Sequence, residues 1–209
     1  MPREPAADPH FAASRVLSRD HERMFSTLAV DLRRFRPKTG CRCSQTSRRA
    51  YARAIFALIE SETVFMSAKT LHDWVHHLGE EEQLSLRQRR RVQASNGNTI
   101  ELRNRRSPAE SFYTACDLYC DTWGATCPIN KRSSGWHALL CAQKIRNRVT
   151  HPRSSTDLDV SDRDLEILTR ADEWLIKIIV ETADELCRTC VRRIEQLTAI
   201  VDQRKFSPS

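Results

Sequence analysis

The chain has 209 residues, 40% hydrophobic and 29% charged, with 34 Lys and Arg against 27 Asp and Glu for a formal net charge of +7. That length and apolar content suffice for the core of one domain with extensions or of two small ones, and the basic excess suits an anionic partner, most commonly nucleic acid. Five Gly and eight Pro are few, which favours helices over a sandwich or barrel. There is no Walker phosphate loop, Gly-x-Gly-x-x-Gly or Gly-x-Ser-x-Gly elbow, which leaves nucleotide-cofactor and serine-hydrolase chemistry without a foothold.

Residues 1 to about 8 are rich in Pro and charge and read as a disordered leader. Met1-Pro2-Arg3-Glu4-Pro5 has no apolar signal core, and the longest apolar runs, such as Leu175 to Val180, are broken by charge. A soluble cytoplasmic protein with no membrane partner is the expectation. An amphipathic segment from about Phe11 to Phe35 carries Leu17, Phe25, Leu28 and Leu32 and ends before Pro37. A loop from Pro37 to Thr46 follows.

A long helical pattern then runs from about Ser47 to Leu78, where Gly79 stops it; Tyr51, Ile55, Leu58, Ile59, Phe65, Met66, Trp74 and Val75 are apolar at helical spacing. Glu80 to Arg91 has the composition of a charged helix, and Val92 to Leu102 centres on Asn96-Gly97, a hairpin signal. Ser107-Pro108 opens another helix by a Ser cap and a first-turn Pro, continuing through Phe112, Leu118 and Trp123.

The next helix occupies about Ser134 to Thr150. Ala138, Ala142, Ile145 and Val149 form its apolar face, and Trp136, Leu139 and Leu140 widen it. Pro152 disfavours helical geometry at His151 and stops the helix. The last segment opens at Ser161-Asp162-Arg163-Asp164, a Ser cap with an acid placed to reach back to it. It runs to about Gln203 as one helix or two, with Leu168, Leu175, Ile179, Leu186, Ile194, Leu197 and Val201 as its seam. The expected fold is all-α: residues 1–36 as leader and amphipathic helix, 37–204 as the helical domain with a small hairpin or charged insertion at 80–107, and 205–209 as a tail.

Eight cysteines admit disulfides, zinc or ordinary burial. Without a secretory signal disulfides are disfavoured. Cys116 with Cys120 and Cys187 with Cys190 fall inside helices, where such spacing also arises from packing a small hydrophobe, whereas structural zinc usually takes its cysteine pairs from tight turns. Cys41-Arg42-Cys43 is loop-like but has one intervening residue. Burial accounts for most of the cysteines, and no metal or cofactor is expected. In His72-Asp73-Trp74-Val75-His76 two imidazoles share a helical face as in zinc peptidases, but Asp stands where the base Glu would be and no third ligand is evident.

The chemistry-bearing stretch is Lys144-Ile145-Arg146-Asn147-Arg148-Val149-Thr150-His151-Pro152, an Arg and a His five positions apart at the end of an anchored helix. A second such spacing, Arg132 to His137, straddles a helix start and is set aside. Arg, a polar residue, three variable residues and His, closing a bundle's third helix, resemble the signature of the HEPN-domain family. The resemblance spans roughly Arg48 to Arg204, with these nine residues as its specific part.

The resemblance implies a HEPN-like bundle that cleaves RNA without metal, as many members of that family do, in a toxin–antitoxin or antiviral defence role with an antitoxin or defence-system partner. RNA carries its own nucleophile, the 2′-hydroxyl, so cleavage needs proton transfer and stabilisation of charge on the phosphate. His151 supplies the first and Arg146 the second through a forked grip. Asn147 orients the pair, and Lys144, Arg148 and Arg153 are candidates for RNA contact.

The tract Arg87-Gln88-Arg89-Arg90-Arg91, followed by Arg103, Arg105 and Arg106, reads either as a phosphate-tracking surface or as solvated charge. Five helical positions separate Arg146 and His151 by about 140° in azimuth, so the composite site implied by the family needs two copies, hence a homodimer. Family toxins silenced by a partner nucleotidyltransferase often carry Tyr two residues after the His; Arg153 stands there instead, which puts that mode of control in doubt. The alternative is a non-catalytic helical module binding RNA or protein, in which Arg146 pairs with an acid on a neighbouring helix and His151 caps the turn before Pro152.

Overall fold

The computed structural model describes residues 9–37, 43–95 and 97–205. The expected leader, Cys41 and Arg42 of the loop cysteine pair, Asn96 of the hairpin signal and most of the expected tail lie outside the described residues. Six α-helices and one two-stranded sheet follow in the order α1 (Pro9–Phe35), α2 (Gln45–Trp74), α3 (Glu80–Leu86), β1 (Arg89–Gln93), β2 (Thr99–Arg103), α4 (Pro108–Trp123), α5 (Ser134–Thr150) and α6 (Asp162–Lys205), with 3-10 turns at Val75–His77 and Ser155–Leu158. The fold is an all-α helical bundle. No described helix is long and apolar enough to cross a membrane.

Helix α2 is the axis of the bundle because it is apolar on more than one face. Tyr51, Ala52, Ile55, Phe56, Leu58 and Ile59 are all buried, so α2 touches α1, α4, α5 and α6, as a helix without a wide polar side must. The side-chain oxygen of Ser44 accepts from the Ser47 N–H at its start. At its end the helix tightens into the 3-10 turn, and the Gln83 amide donates to the carbonyls of Val75 and Leu78 at 3.1 and 3.2 Å, satisfying acceptors that a helix end leaves open.

Helix α1 lies along α2 with Leu32 buried and Phe25, Leu28 and Phe35 partly so. Its C-terminal end is fastened to α6: Arg36 contacts Asp172 at 3.2 Å and Glu173 at 3.1 Å. Asp172 also accepts the Tyr51 hydroxyl at 2.8 Å. Burial pushes the Asp172 carboxyl above its ordinary value despite Tyr51 and Arg36, which pull it down, and burial together with Asp172 pushes the Tyr51 phenol up.

The expected charged helix over Glu80–Arg91 is shorter. It stops at Leu86, Gln88 turns the chain at φ 54°, and Arg89–Gln93 pair antiparallel with Thr99–Arg103 in the register Arg89 to Arg103 and Val92 to Ile100. An isolated hairpin is marginal; this one is held at its base, where Leu84 and Leu86 are buried and Arg106 donates to Thr114 and Ser85 at 3.0 and 3.3 Å.

Helices α4 and α5 carry local start and stop signals. Ser107 and Ser133 cap their starts by accepting from the Glu110 and Trp136 N–H groups, and α4 ends at Gly124 in the left-handed conformation, φ 70°. Gly135 is required for a different reason. A Cβ there would lie 1.9 Å from Cδ1 of Trp174, so only glycine lets α6 approach the first turn of α5. Helix α6 is continuous over 44 residues, about 66 Å at 1.5 Å per residue. Leu168, Leu175 and Ile178 pack into the core, but Val191, Ile194, Leu197, Ile200 and Val201 farther along are exposed.

Candidate functional site

The end of α5 is built by its neighbours. The guanidinium of Arg53 on α2 donates to the Val149 carbonyl at 3.1 Å, and Arg49 and Arg48 donate to the carbonyls of Leu158 and Val160 at 3.1 and 2.7 Å. Three arginines on the first half of α2 thus hold the carbonyls of the α5 terminus and of the loop to α6. Sequence reading did not single them out. Their signal was the clustering of Arg48, Arg49 and Arg53 at a helix start, where basic residues are not the favoured charge.

The same loop is closed from its other end by Asp157 and Asp164. Asp157 accepts from the backbone N–H groups of Arg153 and Ser154 at 2.8 and 3.0 Å, the first of which chiefly holds its carboxyl below the usual range. Asp164 accepts from the Ser161 N–H and hydroxyl, both at 2.9 Å, and from Arg148 at 2.9 Å. Burial alone would raise the Asp164 carboxyl; these hydrogen bonds outweigh it and hold the group low.

His151 follows the last helical residue, with φ −127° and its N–H donating to the Asn147 carbonyl. The residue is exposed and lines an open cleft of about 860 Å³ with Arg105, Asn147, Arg148, Arg153 and Asp157. Of the residues expected to serve catalysis or RNA contact, His151, Asn147, Arg148 and Arg153 are therefore brought together. Arg105 joins them from the segment after the hairpin; in sequence it belongs only to the basic tract, 46 positions from His151, and no local pattern links the two.

Arg146 is not in that cleft. It turns toward α2, where its Nη2 lies 2.9 Å from Oε1 of Glu60 and its guanidinium carbon 5.8 Å from the Phe56 ring centroid. Asn147 joins the two directions, since it lines the cleft while its Oδ1 accepts from Arg146 at 3.3 Å. Lys144 is exposed on the same helix.

The basic tract does not form one stripe. Arg89 and Arg91 alternate with Arg90 along β1, and side chains alternate across a strand, so Arg90 occupies the opposite face. Arg91 is paired with Glu80, Arg89 lies 3.9 Å from Glu101, and Arg87 and Arg89 line a separate depression with Gln88 and Arg103.

The His72–His76 pair does not share a helical face, because α2 ends at Trp74 and His76 lies in the 3-10 turn. Asp73 is taken up by Lys69 and by His72, the latter at 2.8 Å. Among the described residues one group of three has ligand atoms close enough to hold a metal ion: Cys116, Cys120 and Cys127. Cys127 went unremarked in sequence, where it follows Cys120 by seven residues in a loop.

Comparison with protein-family models, with curated proteins and with solved structures finds no match for this chain.

Proposed function

We propose that the protein is a metal-independent endoribonuclease of the HEPN type, acting as a cytoplasmic homodimer in a toxin–antitoxin or antiviral defence role. The observation that carries this reading is the position of His151: exposed, at the end of a rigid helix, in an open cleft with Asn147 and three arginines. RNA supplies its 2′-hydroxyl, which attacks the adjacent phosphorus; the bond to the 5′-oxygen breaks, and that oxygen takes a proton. Imidazole can accept the first proton or donate the second near neutrality. Arg105, Arg148 and Arg153 supply cationic groups to the same cleft, and guanidinium matches phosphate through two parallel hydrogen bonds.

Arg146, directed away from His151 within one chain, completes the site when a second copy brings its own motif helix alongside. Composite geometry of this kind makes activity depend on dimerisation. Restraint of such an enzyme in the cell falls to an antitoxin or defence-system partner.

A second reading has its own support. The Arg146–Glu60 ion pair is what a purely structural Arg146 would form, and it favours a non-catalytic module that binds RNA or protein. The deciding experiment is incubation of the purified protein with labelled total RNA in chelator, comparing the parent with His151→Ala and Arg146→Lys. The enzyme reading expects 2′,3′-cyclic phosphate ends from the parent, none from His151→Ala and strongly reduced cleavage by Arg146→Lys, with all three proteins folded and dimeric. A strict metal requirement with 5′-phosphate ends, or full activity of His151→Ala, overturns the mechanism; a folded but inactive parent favours the module.

A further inference from the structure

Cys116 and Cys120 stand one turn apart on the buried side of α4, and Cys127 returns to them from the segment beyond the Gly124 cap. Two cysteines four residues apart on a helix meet without any functional cause. A third thiol delivered from a loop does not follow from helical spacing. All three sulfurs lie within 4.8 Å of one another, with Cys127 and Cys116 at 3.7 Å. In a tetrahedral thiolate site with metal–sulfur bonds of about 2.3 Å the sulfurs are about 3.8 Å apart, whereas a disulfide needs about 2.0 Å. The cluster therefore has nearly the dimensions of a metal site.

We propose that Cys116, Cys120 and Cys127 bind a thiophilic divalent ion of the zinc class, with a structural role, clamping the end of α4 to the connection that leads into α5.

The chemistry of the cluster agrees with this. Cysteine ligates such an ion as the thiolate, so binding displaces the thiol protons to solvent. Cys116 and Cys120 are 0% and 1% exposed and Cys127 is half-buried, so the ion enters at Cys127, and three protein ligands leave its fourth position to solvent. Soft thiolates select zinc and its relatives over magnesium or calcium. The Thr182 hydroxyl, 3.6 Å from the Cys116 sulfur, extends the clamp to α6.

The site is distinct from the His151 cleft and does not depend on the proposed activity. Its ion would stabilise the frame that carries α5 and take no part in RNA chemistry.

The test uses the full chain, reduced and metal-stripped, titrated with Co²⁺ and then Zn²⁺. The expected result is an intense sulfur-to-cobalt charge-transfer band that saturates at one ion per chain, disappears on adding Zn²⁺, and is accompanied by a higher thermal midpoint. Cys127→Ser should weaken Co²⁺ binding at least tenfold, and Cys187→Ser, on the exposed arm of α6, should leave it unchanged. Should Cys127→Ser fail to fold, the parent still decides: Zn²⁺ should protect Cys127, but not Cys187, from alkylation mapped by mass spectrometry. Absence of the band in reduced folded protein, or equal protection of both cysteines, overturns the proposal. So does a cluster that takes no cobalt when reduced but oxidises to a Cys116–Cys127 disulfide, which would make it a redox pair.

Discussion

The Arg146–Glu60 pair separates the two readings of the motif, and Glu60→Gln is the sharpest perturbation of it. The two groups are 2.9 Å apart with side chains 23% and 53% exposed. An RNA phosphate that engages Arg146 must displace the carboxylate, so the strength of the pair sets the penalty. Pairs this exposed contribute about 0.2–1 kcal/mol. Glutamine keeps the size and one acceptor oxygen but removes the charge, so RNA affinity should rise about one-and-a-half- to fivefold, at 1.36 kcal/mol per tenfold. The assay is fluorescence anisotropy with labelled RNA at low salt, both proteins carrying His151→Ala so that the RNA stays intact. A parallel thermal melt should show a loss of stability under about 1 kcal/mol. Unchanged or weaker RNA binding, together with a lowered melt, would refute the reasoning and leave the pair as a clip between α2 and α5.

Converting Arg87, Arg89, Arg90 and Arg91 to Gln should flatten the salt dependence of RNA binding by less than the ~2.8 units expected of four single-strand contacts at ~0.7 each. Arg89 and Arg91 already face Glu101 and Glu80, and Arg90 is on the other face; the full change, or none, would contradict that placement. Gly135→Ala forces a methyl against the Trp174 indole, 1.9 Å from Cδ1, and should cost about 1–3 kcal/mol in urea unfolding; an unchanged midpoint would mean that α5 and α6 do not meet this closely. Because hydrogen bonds outweigh burial and hold the Asp164 carboxyl low, the folded chain binds that proton less readily than the unfolded one. Its stabilisation is complete above the ordinary carboxylate value of about 3.9 and is lost as pH falls below it. Hydrogen exchange of the Ser161 amide, which donates to Asp164, should therefore lose protection as pH falls from 5 to 3 after correction for intrinsic rates, and constant protection would count against it.

Much of the bundle was legible in the chain because its signals are local. Ser107 and Ser161 cap helices where a hydroxyl precedes an apolar period, and Pro152 stops α5 at Thr150 because its ring excludes helical geometry before it. The apolar face Ala138, Ala142, Ile145 and Val149 is buried as its spacing requires. The boundary of α3 was less legible: Glu80 to Arg91 has helical composition throughout, and only pairing with Thr99–Arg103 draws Arg89–Gln93 into a strand.

The candidate site divides in the same way. Arg146, Asn147 and His151 were visible as a spacing, and the 3.6-residue period alone separates Arg146 from His151. What the period leaves open is which neighbours each side chain meets, because those come from elsewhere in the chain. Glu60 reaches Arg146 across 86 positions, Arg53 reaches the Val149 carbonyl across 96, and Arg105 shares the His151 cleft only because the hairpin returns its segment to the end of α5. The cysteine cluster is the same case: the helix repeat pairs Cys116 with Cys120, and only the turn at Gly124 brings Cys127 back to them. Helix starts, stops and faces rest on interactions within a few residues and were determined by the sequence itself; the company each polar group keeps rests on packing between distant segments, and that was decided by the tertiary structure.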